Sequence, residues 1–551
     1  MKKLIILLIT FCSLVSCSDS FLETTNHNTL DVSSFLKTAN DLQYALNASY
    51  TPLAGNGMFG LQYVLMFNSL DPYIVVTDGA PLVFDNFNYN PTTPAVYSMY
   101  KELYYGLFRT SDILAKMSQV KTLVSQTTYE QTEAQLKALR GLYYFYLVTV
   151  FDKPVYYDET NVPSNPLIGL KNGTQEQFWN KLEEDLTSAA DKLPISWGSA
   201  DKGRITKGAA NALLGKALLY KHYHYYLRFG KGNIQEANAN LIKAKNALYK
   251  VMDGTYQLIQ PAAAKTKDDY QAALLSNFSF IDIPVGTNTY DSENNSESIW
   301  EVQFNDNPGT NVFLPGWASG GNMFYQYFSP YSGSYRNHLV APTLWNEFED
   351  APSSHLSGQS KDPRAYATCY LDGDIMDWRS ESGYKIPYDA TVNGKADQLP
   401  ALYASFSLGK GIGLKKYYYP QFTTNSTPSA APMNFRVIRY DDLLLMYAEA
   451  CLKSNTDLNL GLNALNLVRA RVDMPAVSTL THAAIVHERN VELATECIRY
   501  NDLVRWSYDT DFALDMGAIF SNMFKDKNHY FPIPQAEIDI NQGALVQNIG
   551  W

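Results

Sequence analysis

The sequence predicts a mostly α-helical protein, in which tetratricopeptide-like helical repeats form a scaffold that carries a loop-rich insertion with short strands. Apolar residues recur at helical spacing in several long segments. These segments come in pairs, with small residues on one helix where the next has large ones. The stretch 276–424, in contrast, is rich in Gly, Pro, Asn, Ser and aromatic residues and shows few helical patterns.

Four segments show the helical period most clearly. In residues 207–226, for example, Ala210, Leu213, Leu214 and Ala217 recur at the i, i+3, i+4 and i+7 positions of one helix face. The other three helices are predicted over residues 133–151, 439–453 and 483–506. A set of unrelated amphipathic helices in an all-α domain remains the alternative to true repeats.

The N-terminus has the features of an export signal. Lys2 and Lys3 precede an apolar run of about a dozen residues, which is too short to span a membrane as a helix. The run ends in Leu14-Val15-Ser16-Cys17, which resembles a bacterial lipobox with Cys17 as the lipidated residue. An ordinary secretory signal is the alternative.

These observations predict five regions in the 551-residue chain. They are a lipoprotein signal peptide (1–16), a lipid-anchored tether (17–30), an N-terminal helical region (31–275), a loop-rich ligand-binding insertion (276–424) and a C-terminal helical region (425–551). A second loop-rich stretch is predicted from Gly55 to Pro94.

Cysteine usage and net charge exclude several classes of protein. If Cys12 is removed and Cys17 is lipidated, three cysteines remain without a CxxC pair, which argues against a disulfide framework or a zinc site. Cys451 and Cys497 lie on apolar helix faces, where buried free thiols are expected. The net charge of −11 argues against nucleic acid as a partner.

Several blocks spread over nearly the whole chain form a recognisable set. They are residues 20–23, 137–145, 203–210, 437–450, 467–471, 488–493, 499–506 and 531–551. In this order they resemble the SusD/RagB family of outer-membrane lipoproteins, and residues 437–450 are the most specific block. Asp441, where the family commonly has Ala, and residues 495–498 depart from the pattern.

The resemblance implies a lipid-anchored protein of the outer-membrane surface that binds a glycan and is the partner of a SusC-type TonB-dependent transporter. It implies no catalysis and leaves the substrate open, because the matching motifs are structural. A surface glycoside hydrolase and a relative that binds peptides instead of glycans are the alternatives.

Charged residues in the C-terminal motifs are expected to be structural. Glu488, Arg489 and Glu492 on one helix segment, and Arg499 and Asp502 on the next, fall at spacings that allow ion pairs along a helix. A carboxylate pair for glycoside hydrolysis is the alternative, but adjacency on a helix does not place two carboxylates across a cleft.

The sequence carries no GxSxG, HExxH or Walker motif and implies no cofactor. The acidic cluster Asp372, Asp374 and Asp377 is a weak candidate for a calcium site, and a solvated turn is the default for it.

Two clusters of loop aromatics are the predicted ligand-binding residues. A sugar ring has an apolar C–H face and a rim of hydroxyls, so flat rings can stack on the face while polar side chains bond the rim. The first cluster is Asp71, Tyr73, Asp78, Phe84, Phe87 and Tyr89. The second is Trp317, Phe324, Tyr325, Tyr327 and Tyr331. Core packing is the alternative for each ring, and Trp300, in a strand-like segment, is expected to be buried.

Overall fold

The computed structural model describes residues 36–163, 169–263, 265–280, 282–305, 321–328, 335, 337–352, 360–370, 412–417 and 431–551. The longer helices in the N-terminal half are α1 (Ala39–Ala54), α2 (Gln62–Ser69), α4 (Pro94–Val120), α5 (Gln126–Phe151), α6 (Gln175–Lys192), α7 (Lys207–Lys221), α8 (Ile234–Tyr249) and α9 (Lys267–Leu275), with a single-turn α3 (Leu82–Asp85). Short helices α10 (Phe324–Phe328), α11 (Pro342–Glu347) and α12 (Pro363–Thr368) follow. The C-terminal helices are α13 (Tyr440–Ser454), α14 (Leu458–Arg471), α15 (His482–Glu492), α16 (Arg499–Trp506), α17 (Met516–Ile519) and α18 (Gln535–Ile540).

The strands are short and pair antiparallel. They are β1 (Ile74–Val76), β2 (Ile283–Val285), β3 (Asn288–Tyr290), β4 (Ser298–Val302), β5 (His338–Val340), β6 (Ile412–Gly413) and β7 (Phe435–Arg439). They form a β1-β5-β6 sheet, a β2-β3 hairpin and a β4-β7 pair. The β4-β7 pair joins the insertion to the C-terminal helices, and Trp300 on β4 is buried as the alternation of its strand predicts.

The predicted helical scaffold is confirmed. Helices α4 to α8 each pack on the next one along the chain, and α8 packs in turn on α13, so the two helical regions form one array. Helix α5 is its centre, since every residue from Ala138 to Phe151 is buried. Gly106 allows α4 to approach α5 closely, because a Cβ there would lie 2.0 Å from the ring of Tyr143.

The helix predicted over 483–506 is wrong in one respect, because the structure divides it into α15 and α16. Thr495 and Cys497 in the connection adopt left-handed backbone conformations, with φ of 69° and 63°. The Cys497 amide donates a hydrogen bond to the Asn68 side chain at 3.2 Å instead of continuing the helix. Tertiary contacts thus override the apolar period at this point.

The stretch from Gly55 to Pro94 is more regular than predicted. It contains α2, β1 and α3, which the turn-forming residues between them obscure in the sequence. Cys369, Cys451 and Cys497 are buried, and Cys451 and Cys497 are free thiols, so the prediction of buried free thiols for these two is confirmed.

A buried ion network holds the C-terminal helices to the insertion. Glu492 at the end of α15 accepts hydrogen bonds from Arg471 of α14, from Arg439 at 3.2 Å and from Arg364 of α12 at 3.1 Å. Glu297, just before β4, also accepts from both Arg439 and Arg471, at 2.9 Å each. All five side chains are at most 3% exposed.

The network continues along α15 and α16. Arg489 donates to Asp442 of α13 at 2.8 Å and to Asp502 of α16 at 2.6 Å. Arg505 donates to Asp502 at 2.9 Å and forms a bidentate pair with Glu449. Although burial acts to raise the pKa of Glu449, attraction by Arg505 outweighs it and lowers that pKa to about 2.

The charged motifs are therefore structural as predicted, but their partners differ from the prediction. Arg505 and Asp502 pair within one helix, whereas Glu488 pairs with Arg364 and Arg469 from other elements. Arg499 does not form the predicted ion pair with Asp502. Its guanidinium lies over the rings of Tyr73 and Trp506, at 5.6 and 5.9 Å.

Removing the charge of Glu492 is expected to be strongly destabilising. Glu492→Gln leaves the buried guanidinium groups around it without their shared counter-charge, at a cost of about 3–5 kcal/mol. The matched control is Glu130→Gln, which breaks the exposed Lys192–Glu130 pair and is expected to cost less than about 1 kcal/mol. Urea unfolding followed by circular dichroism at pH 7 measures both, and equal midpoints for the two variants would contradict the structural role of the network.

Candidate functional site

The pairing of β1 with β5 brings Asp78 of the first predicted cluster close to the segment that follows the second cluster. Ile74 lies opposite Val340 and Val76 opposite His338, although some 260 residues separate them in the chain. The pairing extends past the strand ends, where the Thr77 amide donates to the Asn337 carbonyl at 3.0 Å. The Asn337 side-chain amide donates to the Asp78 carbonyl at 3.3 Å.

Backbone hydrogen bonds also fix helix α10, which carries part of the second cluster. The Met323 amide donates to the Gly60 carbonyl at 3.1 Å, which places α10 beside the turn that precedes α2. Asn322 and Ala431 exchange hydrogen bonds through both backbone groups, at 2.7 and 2.8 Å. The helix is therefore held from two sides by segments remote in sequence.

A tyrosine pair, one ring exposed and the other half-buried, lies near this pairing. The rings of Tyr327 and Tyr335 meet edge to face, with centroids 5.0 Å apart and planes at 70°. Tyr335 is 56% exposed and Tyr327 is half-buried, which raises the pKa of the Tyr327 hydroxyl. The exposed Asp78 lies at the end of the adjoining β1. We call Asp78, Tyr327 and Tyr335 the tyrosine face.

Buried polar contacts support the tyrosine face from beneath. The ring of His338 hydrogen-bonds Ser69 of α2 and the side-chain oxygen of Asn337, both at 2.9 Å. Burial lowers the pKa of His338 to about 3, so the ring is neutral at physiological pH. Asn337 is thus oriented by His338 on one side while its amide holds the backbone of Asp78 on the other.

The tyrosine face has the groups that a non-catalytic ligand site needs. Two aromatic rings provide an apolar platform, and the exposed carboxylate of Asp78, whose backbone is held by Asn337, can accept hydrogen bonds. In the described parts of the chain, no cluster of three or more His, Cys, Asp or Glu residues is arranged to hold a metal ion. The calcium candidates Asp372, Asp374 and Asp377 lie outside the described residues.

Comparison with known proteins identifies the family. A model described as "SusD family" matches residues 296–551, and one described as "Starch-binding associating with outer membrane" matches residues 20–227. Together the two models cover most of the chain. The chain belongs to the SusD family.

Individual relatives agree with this assignment over nearly the full length. A SusD-like protein of Bacteroides ovatus is 24% identical over 92% of this chain and 82% of its own length. A SusD-like protein of Formosa agariphila is 23% identical over 99% of this chain and 98% of its own length.

Solved structures of SusD-like proteins share the fold. A laminarin-binding SusD-like protein superimposes with a TM-score of 0.67 and 25% identity, over 94% of this chain and all of that chain. Surface glycan-binding protein A of Bacteroides thetaiotaomicron, solved in complex with laminarihexaose, has a TM-score of 0.67 and 22% identity over 93% of this chain and 99% of its own. Among the described helices of this SusD-family protein, none is both long enough and apolar enough to cross a bilayer.

The structure corrects part of the first predicted cluster. Phe84, Phe87 and Tyr89 lie in the core of this SusD-family fold, so their rings have no free face for a ligand. Tyr89 stacks on Phe531 at 4.8 Å, and Phe87 meets Phe520 edge to face at 5.2 Å. Their partners come from the C-terminal segment, which sequence spacing alone does not bring near them.

Part of the second cluster is corrected in the same way. Phe324 and Tyr325 point into the core, where Phe324 packs near Phe435 and Tyr325 on Ala431. Trp317 and Tyr331 lie outside the described residues. Sequence reasoning missed Tyr335, because the predicted cluster ended at Tyr331, four residues before it, and nothing in the spacing shows that Tyr335 meets Tyr327.

Asp71 and Tyr73 lie at the opposite end of β1 from the tyrosine face. Asp71 is buried and accepts a hydrogen bond from the Tyr73 amide at 2.9 Å. The half-buried Tyr73 accepts a hydrogen bond on its hydroxyl from Asn490 at 3.3 Å. Of the first cluster, therefore, the structure brings only Asp78 to the second.

Replacing Asp71 by Asn is expected to stabilise the protein at neutral pH. Burial, opposed by the Tyr73 amide and Arg499, raises the pKa of Asp71 to about 6, above the unfolded value of about 3.9. Ionisation is therefore penalised in the folded state, and the penalty, about 3 kcal/mol, grows between pH 4 and 6 and is complete above pH 6. Asp71→Asn removes it and can keep the hydrogen bond to Tyr73.

Urea unfolding at pH 4 and pH 7.5 measures this effect. The Asp71→Asn variant should have a higher free energy of unfolding than the wild type only at pH 7.5. The exposed Asp78→Asn control should change the free energy of unfolding by less than about 0.5 kcal/mol at either pH. A difference that is independent of pH would contradict the role of Asp71 ionisation.

Proposed function

We propose that the protein captures a neutral oligosaccharide or polysaccharide at the cell surface on the tyrosine face. In this proposal it delivers the glycan to a SusC-type TonB-dependent transporter and changes no covalent bond. The observation that carries the proposal is the β1-β5 pairing, because it joins two remote loop regions into one surface with a tyrosine pair and a carboxylate.

The chemistry of the face suits a sugar ring. The exposed ring of Tyr335 offers a surface on which the C–H face of a pyranose can stack, and Tyr327 at 5.0 Å holds that ring in place. Asp78 can accept hydrogen bonds from the hydroxyl rim. We expect Trp317 and Tyr331, on either side of α10 in the sequence, to extend the platform.

The relatives support a glycan as the ligand and suggest the first probes. One structural relative is described as laminarin-binding, and another is described in complex with laminarihexaose. β-1,3-Glucans are therefore the first glycans to test here, followed by other neutral hexasaccharides. Peptide binding with the same scaffold is the outcome to test against.

The proposal includes anchoring at the outer membrane through a lipidated Cys17. The lipobox-like sequence before Cys17 and the family model described as "associating with outer membrane" support it. Labelling with radioactive palmitate tests this part, and label that persists in a Cys17→Ala variant would contradict it.

Truncating Tyr335 is expected to weaken glycan binding without affecting stability. Tyr335→Ala removes the exposed ring and should lower the affinity about three- to tenfold, in line with the contribution of one aromatic contact. Affinity gel electrophoresis and calorimetry with laminarin and laminarihexaose measure the loss. The matched control is Tyr44→Ala, since Tyr44 is 65% exposed, lies on α1 and is not a residue of the face.

Two results would contradict the proposed function. If the Tyr335→Ala variant retained glycan as strongly as the wild type, the tyrosine face would not be the glycan-binding site. The appearance of new reducing ends when purified protein is incubated with glycan would show hydrolysis, and would favour the glycoside hydrolase alternative.

A further inference from the structure

A second aromatic concavity lies elsewhere on the molecule, between α4, residues 154–157 and α18. Its volume is about 290 Å³, and it shares no residue with the tyrosine face. Its lining includes Tyr100, Tyr104, Tyr105, Phe108 and Glu537. We call these five residues the aromatic groove.

The floor of the aromatic groove is rigid and its rim is exposed. Tyr100 and Tyr104 are buried, and the Tyr104 hydroxyl donates to the Val155 carbonyl at 2.7 Å. On the rim, Tyr105 is 48% and Phe108 37% exposed. Two fixed rings thus lie below two accessible ones on successive turns of α4.

Polar groups give the groove a hydrogen-bonding wall. The carboxyl of Glu537, at the start of α18, is half-buried and has no hydrogen-bond partner among the described residues. This partial burial raises the pKa of the Glu537 carboxyl. Lys101 lies on the rim, with its ammonium 5.8 Å from the centroid of the Tyr105 ring.

Asn541 also lines the groove. Its side-chain oxygen accepts from the Leu170 amide at 2.8 Å, and its amide donates to the Glu537 carbonyl at 2.9 Å. Asn541 therefore has its own partners and shapes the groove, while the Glu537 carboxyl is left to a ligand.

These features favour an amphipathic ring as the occupant. The apolar lining is mainly aromatic, with Val155 and Leu170 as its aliphatic members, and Lys101 and Glu537 add charged groups. A molecule with an apolar face and a hydroxyl rim needs both kinds of group. The volume is near the lower limit of small-ligand pockets, about 300 Å³, which suits one or two sugar rings.

We propose that the aromatic groove is a second carbohydrate-binding site, which takes one or two sugar residues of the neutral glycan held at the tyrosine face. The inference rests on the proposed function in that both sites bind the same class of ligand. A glycan long enough to reach both sites gains avidity, and short oligosaccharides occupy them independently.

Three variants separate the two sites in calorimetric titrations. The groove variant is Tyr105→Ala/Phe108→Ala, the face variant is Tyr327→Ala/Tyr335→Ala, and Tyr44→Ala is the exposed-tyrosine control. The probes are laminarihexaose, maltohexaose, cellohexaose, xylohexaose and mannohexaose, and thermal unfolding checks that each variant is folded. A further variant, Glu537→Ala, removes only the carboxyl.

The wild type is expected to bind about two molecules of its preferred hexasaccharide, and the groove and face variants one each. The groove variant should also lower retention in gels of the matching polysaccharide roughly tenfold, with a smaller loss for Glu537→Ala. A groove variant with wild-type stoichiometry and retention would overturn the second site and leave the proposed function intact. If the face variant kept the stoichiometry and retention of the wild type while the groove variant no longer bound glycan, the tyrosine face would be excluded as a binding site. A wild type that binds none of the five probes would overturn both.

Discussion

The shared carboxylate of Glu492 is the interaction on which the rest of this fold depends. Three arginines from separate elements, Arg364, Arg439 and Arg471, converge on it in a region from which water is excluded. Charges buried in this way are costly unless each finds its partner, so the network tolerates few other arrangements of the helices that carry it. It therefore fixes how the C-terminal helices meet the loop-rich insertion.

Short strands connect this buried ion network to the surface. Arg439 ends β7 and Glu297 immediately precedes β4, so the network holds both strands of the pair that joins the insertion to the scaffold. Asn322 and Ala431 then tie α10 to the segment leading into β7. Tyr327 is thus carried on a helix held from two sides, and the Tyr335 amide donates to the Gln326 carbonyl of the same helix at 2.7 Å. Fixing the rings before the ligand arrives lowers the cost of binding.

The scaffold could be predicted from the sequence because apolar residues recur at the helical period in long amphipathic helices such as α7 and α13. It could not predict the break at Thr495 and Cys497, where a contact with Asn68 replaces a helical turn. Burial of Phe84, Phe87 and Tyr89 was missed for the same reason, since their partners arrive from the distant C-terminus. Tyr335 can be recognised as a residue of the site only in the structure, where β1 pairs with β5. The helices could therefore be predicted from local sequence patterns. The site could not, because it is formed by contacts between residues several hundred positions apart.

A glycan held on the surface that this pairing creates should protect the backbone amides beneath it. Hydrogen–deuterium exchange, followed by mass spectrometry with and without a bound oligosaccharide, tests this across the whole chain. Slower exchange is expected in peptides that cover residues 74–79, 323–328 and 335–340 when the glycan is present. Unchanged exchange in all three, with protection confined to helices α6 to α8, would contradict glycan binding on this surface.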